Sequence, residues 1–271
     1  MQRLEKFIEE LRVREHPAST EEILNFIREY LQLRLLQSIY QSKFGECLSF
    51  MGGTCLRICY NLKRYSEDLD FALDGDRKMY NFSKMMDLLA REMNLRGFDT
   101  SVTLQEDKIV QKAFFRVVGL YPHFRLRGPR DQKIHIKLEV DTRPIPLEVE
   151  ERESYFVTRF GEIFPILKHT LPTLFAGKVM AVLGRAYTRG RDYYDLIWYL
   201  TQKVEVNLRY LQAGMPDYPF SDKHSVIAEL TKKIESVDPK VVLKDIGRFL
   251  EDPKEADWIS HYSELFYQLT Q

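Results

Sequence analysis

Cysteine is scarce. Cys47, Cys55 and Cys59 are the only ones in 271 residues, and no two form a Cys-x-x-Cys pair. That argues against a disulfide framework and against a cysteine zinc centre. Histidine is thin as well: six are scattered along the chain, which gives a His-rich metal centre no support. Net charge is missing, with 40 Lys plus Arg against 40 Asp plus Glu. Binding held by bulk charge is therefore excluded, although a local basic patch is not. No apolar run approaches the roughly 18 residues that span a bilayer. The stretch MQRLEKFIEE is charged throughout and has no signal-peptide core. The expectation is a reduced, soluble, cytoplasmic protein with no membrane partner. Glycine and proline are ordinary in number, which excludes collagen-like and linker-dominated chains.

What is present suffices for a core: 44% of residues are hydrophobic and 30% charged. Apolar residues at Ile23, Phe26, Ile27, Tyr30, Leu31 and Leu35 predict a helix over 20–42, opened by Thr20 before Glu21 and Glu22. Leu48 to Met51 reads as a short buried strand stopped by Gly52-Gly53. Thr54 reads as the N-cap of a helix reaching about Leu62. Leu69, Phe71 and Leu73 alternate with Asp68, Asp70 and Ala72, predicting a second strand. A helix follows over 78–95, ended by Gly97, and then two strands within 98–119. Over 134–142, Ile134, Ile136, Leu138 and Val140 face one way and His135, Lys137, Glu139 and Asp141 the other. From Leu171 the chain reads as successive helices, over 171–186, 191–202, 206–213, 222–236, 239–250 and 255–269. Strands with some helices, followed by a helical half, predict an α+β domain over 1–165 and an α-helical domain over 166–271.

Three features bear on chemistry. Gly52-Gly53-Thr54 lies at a strand-to-helix turn, where missing Cβ atoms allow close approach and the helix N-terminus suits a phosphate. Taken alone, a glycine pair before a helix is more often a plain turn. In Ser66-Glu67-Asp68-Leu69-Asp70-Phe71, a strand puts Asp68 and Asp70 on one face. Their repulsion is relieved by an oxygen-seeking divalent ion such as Mg²⁺, with Mn²⁺ as its substitute. The alternative is a solvated acidic face. Glu139 and Asp141 lie on the polar face of the 134–142 strand. A third carboxylate there would complete a two-metal site, if the strands are neighbours. The alternative is that Glu139 and Lys137 pair across an exposed sheet.

Taken together, strand, Gly-Gly-Thr, helix and Ser-x-Asp-x-Asp resemble the polymerase-β-like nucleotidyltransferase signature. The blocks FMGGTCLRICYNLKRYSEDLDFAL (50–73) and LFAGKVMAVLGRAYTRGRDYYDLIWYL (174–200) resemble AbiEii/AbiGii-type nucleotidyltransferases, toxins of type IV toxin–antitoxin and phage-abortive systems. The resemblance implies a mixed-sheet nucleotidyltransferase domain followed by α-helices. It implies that Gly52, Gly53, Thr54 and Ser66 hold a nucleoside triphosphate. Asp68, Asp70 and Asp141, with Glu139 as the substitute for Asp141, would bind Mg²⁺. Lys178 would join the catalytic set and, with Asp192 or Asp195, the nucleotide-binding set. It also implies transfer to an acceptor hydroxyl, with tRNA as the expected acceptor and an antitoxin as a possible partner. A protein or small-molecule hydroxyl, or a nucleotide-binding module without catalysis, are the alternatives.

Two basic stretches support a phosphate-rich ligand. Residues 176–191 hold Lys178, Arg185, Arg189 and Arg191 and no acid. Residues 108–137 hold eight basic side chains, from Lys108 to Lys137, against Asp131 alone. Phe114, Phe115, Tyr121, His123 and Phe124 are interleaved, a pattern that can track a nucleic-acid backbone and stack bases.

Overall fold

The computed structural model describes residues 1–14 and 18–271. The chain divides into two compact units. The first comprises Met1–Tyr60, Tyr65–Pro144 and Ser154–Lys168. The second comprises Asn61–Arg64, Ile145–Glu153 and His169–Gln271.

Five α-helices of the described residues belong to the first unit: α1 (Gln2–Val13), α2 (Thr20–Tyr40), α3 (Gly52–Tyr60), α4 (Phe82–Leu95) and α5 (Leu120–His123). They accompany strands β1 (Leu48–Met51), β2 (Asp68–Leu73), β3 (Thr100–Gln105), β4 (Val110–Val117), β5 (Ile134–Asp141), β6 (Arg152–Arg159) and β7 (Glu162–His169). The strands form one mixed sheet in the order β3-β4-β5-β2-β1-β7-β6. β1 runs antiparallel to β2, and β2 runs parallel to β5. Leu69 and Phe71 of β2 and Ile136, Leu138 and Val140 of β5 are buried on one face, the face on which α2 and α4 pack. The period-2 pattern makes this face apolar and leaves the other polar.

Local chemistry sets the ends. Ser19, rather than Thr20, caps α2: its hydroxyl accepts from Glu22 N while the Glu22 carboxylate accepts from Ser19 N. Asn81 caps α4, which therefore starts later than the periodicity predicts. Gly97 follows α4 with φ +83, the left-handed conformation that stops it. α3 begins at Gly52 itself, so Thr54 lies inside the helix and not at its cap.

The β6–β7 hairpin has no counterpart in the sequence reading. Its two-residue loop, Phe160-Gly161, has positive φ at both positions, as a I′ turn requires. Phenylalanine there carries no hairpin signal. It is held by ring contacts with Phe7, Phe26 and Tyr30. α1, highly charged along its length, joins the first unit through Leu4 and Ile8, which are buried.

The second unit contains α6 (Leu171–Gly184), α7 (Gly190–Thr201), α8 (Leu208–Gly214), α9 (Lys223–Glu235), α10 (Pro239–Ile246), α11 (Ala256–Ile259) and α12 (Tyr262–Thr270). α7 is its hub, packing against α6, α10 and α12. α6 stops at Gly184, two residues short of expectation, and the 255–269 segment is broken into α11 and α12. Among the described residues, no helix is long and apolar enough to cross a membrane.

Leu138 is fully buried at the centre of β5, opposite Leu69 and Ala113. Leu138→Ala is expected to destabilise the protein by about 2–5 kcal/mol, read from the urea midpoint. A loss well under about 1 kcal/mol would be too small for a close-packed centre.

Candidate active site

Antiparallel pairing of β1 with β2 sets Met51 opposite Asp70, and the chain then turns at Gly52 into α3. Gly52 has φ +78, and a Cβ built on it would overlap the Asp70 carboxylate. Glycine is thus required twice at this corner, for its backbone conformation and for the acid lying against it. The Thr54 side chain is fully buried and its hydroxyl donates to the Asp68 carbonyl. It therefore ties α3 to β2. Ser66 lies just before β2, where its carbonyl accepts from Gln32 Nε2 at 3.0 Å.

Parallel pairing brings the polar faces of β2 and β5 together. Asp68 is level with Lys137, Asp70 with Glu139 and Ala72 with Asp141. The third acid beside Asp70 is therefore Glu139. Asp141 stands one pair further on, where its Oδ1 accepts from Arg143 N at 2.9 Å. Lys137 Nζ lies 3.1 Å from Asp68 Oδ2 and 2.8 Å from Glu139 Oε2. Lys112 Nζ, on β4, lies 2.7 Å from Glu139 Oε1. Both oxygens of Glu139 thus face ammonium groups.

Burial alone would raise the Glu139 pKa, but hydrogen bonds and charge from Lys112 and Lys137 hold it below the ordinary 4.5. Burial alone would lower the Lys137 pKa, but Glu139 and Asp68 hold it above the ordinary 10.5. The pair is therefore ionised throughout the neutral range.

Among the described residues, no group of three or more acids, histidines or cysteines comes together as a metal cage. The donor chemistry of the aspartate pair still fits Mg²⁺. That ion commonly takes one or two carboxylates and completes its shell with water and substrate phosphates. Asp68 and Asp70 offer hard oxygens on one face, and the Asp70 carboxylate lies against the glycine corner.

The second unit assembles another charged cluster. Lys178 Nζ, on α6, lies 2.7 Å from Asp192 Oδ1 and 2.8 Å from Asp195 Oδ2, both on α7. Arg64 binds Asp195 through both carboxylate oxygens, Nε to Oδ1 at 2.7 Å and a terminal nitrogen to Oδ2 at 2.5 Å. Arg185 Nε lies 3.2 Å from Asp192 Oδ2. Asp195 is fully enclosed, whereas the Lys178 side chain keeps 13% of its surface. Burial pushes the Asp192 pKa up, but Lys178 first, then Arg185 and Arg189, hold it below the ordinary 3.8. Much of the basic stretch at 176–191 is thus matched with acids inside the unit. Arg64 escaped the sequence reading because its partner lies 131 residues away.

The basic segment at 108–137 divides in two. Phe115, Tyr121 and Phe124 are core residues and present no ring to a ligand. Phe114 is half-buried on β4, level with Lys137, and therefore shares the open sheet face with the acids. Lys112, Arg116 and His135 lie on the same face.

The profile of the AbiEii nucleotidyltransferase toxins, of type IV toxin–antitoxin systems, matches residues 34–270. No curated protein sequence matches significantly. Among solved structures, the chain resembles JHP933 from Helicobacter pylori, with a TM-score of 0.55 and 16% identity, over 90% of this chain and 92% of that one. It also resembles a candidate nucleotidyltransferase from H. pylori, with a TM-score of 0.53 and 14% identity, over 90% and 95%. At such identities the likeness carries the fold.

Arg64→Met should cost about 3–5 kcal/mol in urea unfolding, because Asp195 would keep its burial and lose its bidentate partner. A neutral result would mean that Arg64 does not anchor Asp195. The lowered Asp192 pKa also sets a pH window. Its contribution to stability is complete above 3.8 and is lost as pH falls through the lower folded value. Between about pH 5 and pH 2, the wild type should lose stability more steeply than Asp192→Asn. Parallel curves would remove Asp192 from the ion pair.

Proposed function

We propose, for a chain that belongs to the AbiEii family of nucleotidyltransferase toxins of type IV toxin–antitoxin systems, that it transfers a nucleotide from a nucleoside triphosphate to a hydroxyl of RNA. The tRNA 3′ end is the acceptor that the family resemblance implies, and such an acceptor places the reaction in the cytoplasm. An antitoxin is the expected counterpart. The observation that carries the reading is the meeting of Gly52 with the Asp70 carboxylate, since it sets a turn of the kind suited to phosphate beside an acid pair.

The backbone N–H groups that open α3 at Gly52 and Gly53 are suited to the triphosphate. Asp68 and Asp70 would hold Mg²⁺, or Mn²⁺, which when bound supplies charge neutralisation at the phosphates. The acceptor oxygen forms a bond to the α-phosphorus, and the bond from that phosphorus to the bridging oxygen breaks. Pyrophosphate departs and the hydroxyl proton passes to solvent. The chain's own contribution is position and fixed charge. Lys178, with Asp192 or Asp195, keeps the nucleotide-binding assignment that the resemblance implies; Lys178 contacts both acids, and Asp195 also pairs with Arg64.

The sheet face supports an RNA acceptor. From the acids it continues through Lys137 and Lys112 to Phe114, Arg116 and His135. Burial, followed by the charges of Arg116, Lys133 and Arg28, holds the His135 pKa below 6.5, so the imidazole sits in positive potential. Cations beside one accessible ring suit a single strand.

Purified protein with Mg²⁺ and labelled nucleoside triphosphates should label RNA in a pool offered beside protein and small-molecule acceptors. Asp70→Ala should lower labelling by about 10²-fold or more while the thermal midpoint is retained. Undiminished labelling would remove Asp70 from the reaction. Label appearing on protein alone would replace the acceptor.

A further inference from the structure

Two lysines stand within the acid cluster, and their placement differs from that of surface ion pairs. Lys137 reaches Asp68 and Glu139 at once, at 3.1 and 2.8 Å. Lys112 closes the remaining oxygen of Glu139 at 2.7 Å. These side chains are partly covered, with exposures of 28% for Lys137, 20% for Asp68 and 18% for Glu139. Their interaction is therefore screened less than that of an open pair.

A pair of divalent ions at a phosphoryl-transfer site needs carboxylates that both ions can share. Asp68 and Asp70 are placed for one ion. Glu139, the third acid level with them, already has each oxygen opposite an ammonium. The position between Asp68 and Glu139, where a shared second cation would have to sit, is the position of Lys137 Nζ. The charges agree: Asp68, Asp70 and Glu139 against Lys112 and Lys137 leave a net of about −1. That suits one divalent ion carried in with a triphosphate.

We propose that Lys137, with Glu139 fixed by Lys112, is a built-in replacement for the second divalent cation, so that this chain takes up one metal ion with its nucleotide. The proposal rests on the nucleotide-binding reading of the glycine corner and specifies how that site is charged. Lys137 is a positioning residue here. Its ammonium holds Asp68 and Glu139 in place and supplies positive charge on the face where the acceptor approaches.

The test counts metal, not turnover. Mn²⁺ retained by the full-length protein is measured by equilibrium dialysis with electron paramagnetic resonance, with a saturating α,β-methylene nucleoside triphosphate. Binding of the analogue is measured separately. The wild type should retain one Mn²⁺ per chain, Lys137→Met two, and Lys137→Arg one. Lys137→Gln serves if the methionine variant misfolds by circular dichroism, and it should also retain two. Two ions in the wild type would overturn the proposal while leaving nucleotide transfer intact. One ion in both the wild type and the uncharged variant would also overturn it, since Lys137 would then exclude nothing. Failure of the analogue to bind would instead remove the nucleotide reading beneath it.

Discussion

The parallel pairing of β2 with β5 is the constraint on which the site depends. It sets Asp68 level with Lys137 and Asp70 level with Glu139. The register is not held by these charges. It is held by the opposite face, where Leu69, Phe71, Ile136, Leu138 and Val140 are buried. A slip of one residue would turn the acids inward and the aliphatic side chains outward. The hydrophobic term thus positions the catalytic candidates, and the acids inherit their geometry from packing they do not join. β1 adds the glycine corner from the other side of β2, so three neighbouring strands bring together residues far apart in sequence.

Each unit solves the same electrostatic problem in its own way. In the first, three acids on a half-open face are offset by Lys112 and Lys137. In the second, Asp192 and Asp195 are enclosed and matched by Lys178, Arg64 and Arg185. The difference is access. A fully enclosed acid with a bidentate arginine is a structural anchor whose partner cannot be removed cheaply. A partly exposed acid beside a lysine keeps an edge that a ligand can reach while the lysine stays in place. Asp195 is thus enclosed among its partners, whereas Asp68 and Asp70 lie on a face that is only partly covered.

Strands with strict alternation were legible because one face must be buried: 134–141 and 68–73 follow from their side chains alone. The glycine corner was legible as a turn, but the reason for Gly52 was not, because Asp70 approaches it from another strand. Thr54 resembled a cap and became a buried tie to the Asp68 carbonyl. The β6–β7 hairpin was hidden by a Phe-Gly turn that only an aromatic cluster sustains, and by strands that leave Phe156 and Ile163 exposed. In the basic segment, composition counts aromatic rings but does not say which side of the sheet they occupy. Phe115, Tyr121 and Phe124 went to the core, and Phe114 stayed on the polar face.

The identity of the third acid shows how register turns composition into chemistry. Asp141 and Glu139 share a face, and alternation alone cannot choose between them. Pairing with β2 separates their positions: Glu139 is level with Asp70, whereas Asp141 is level with Ala72. Glutamate also reaches further than aspartate by one methylene. Its carboxylate can therefore lie between Lys137, two residues back on its own strand, and Lys112, opposite on β4. A shorter acid at this position would give up one of the two ammonium groups. The length of this side chain thus lets a single carboxylate meet both ammonium groups.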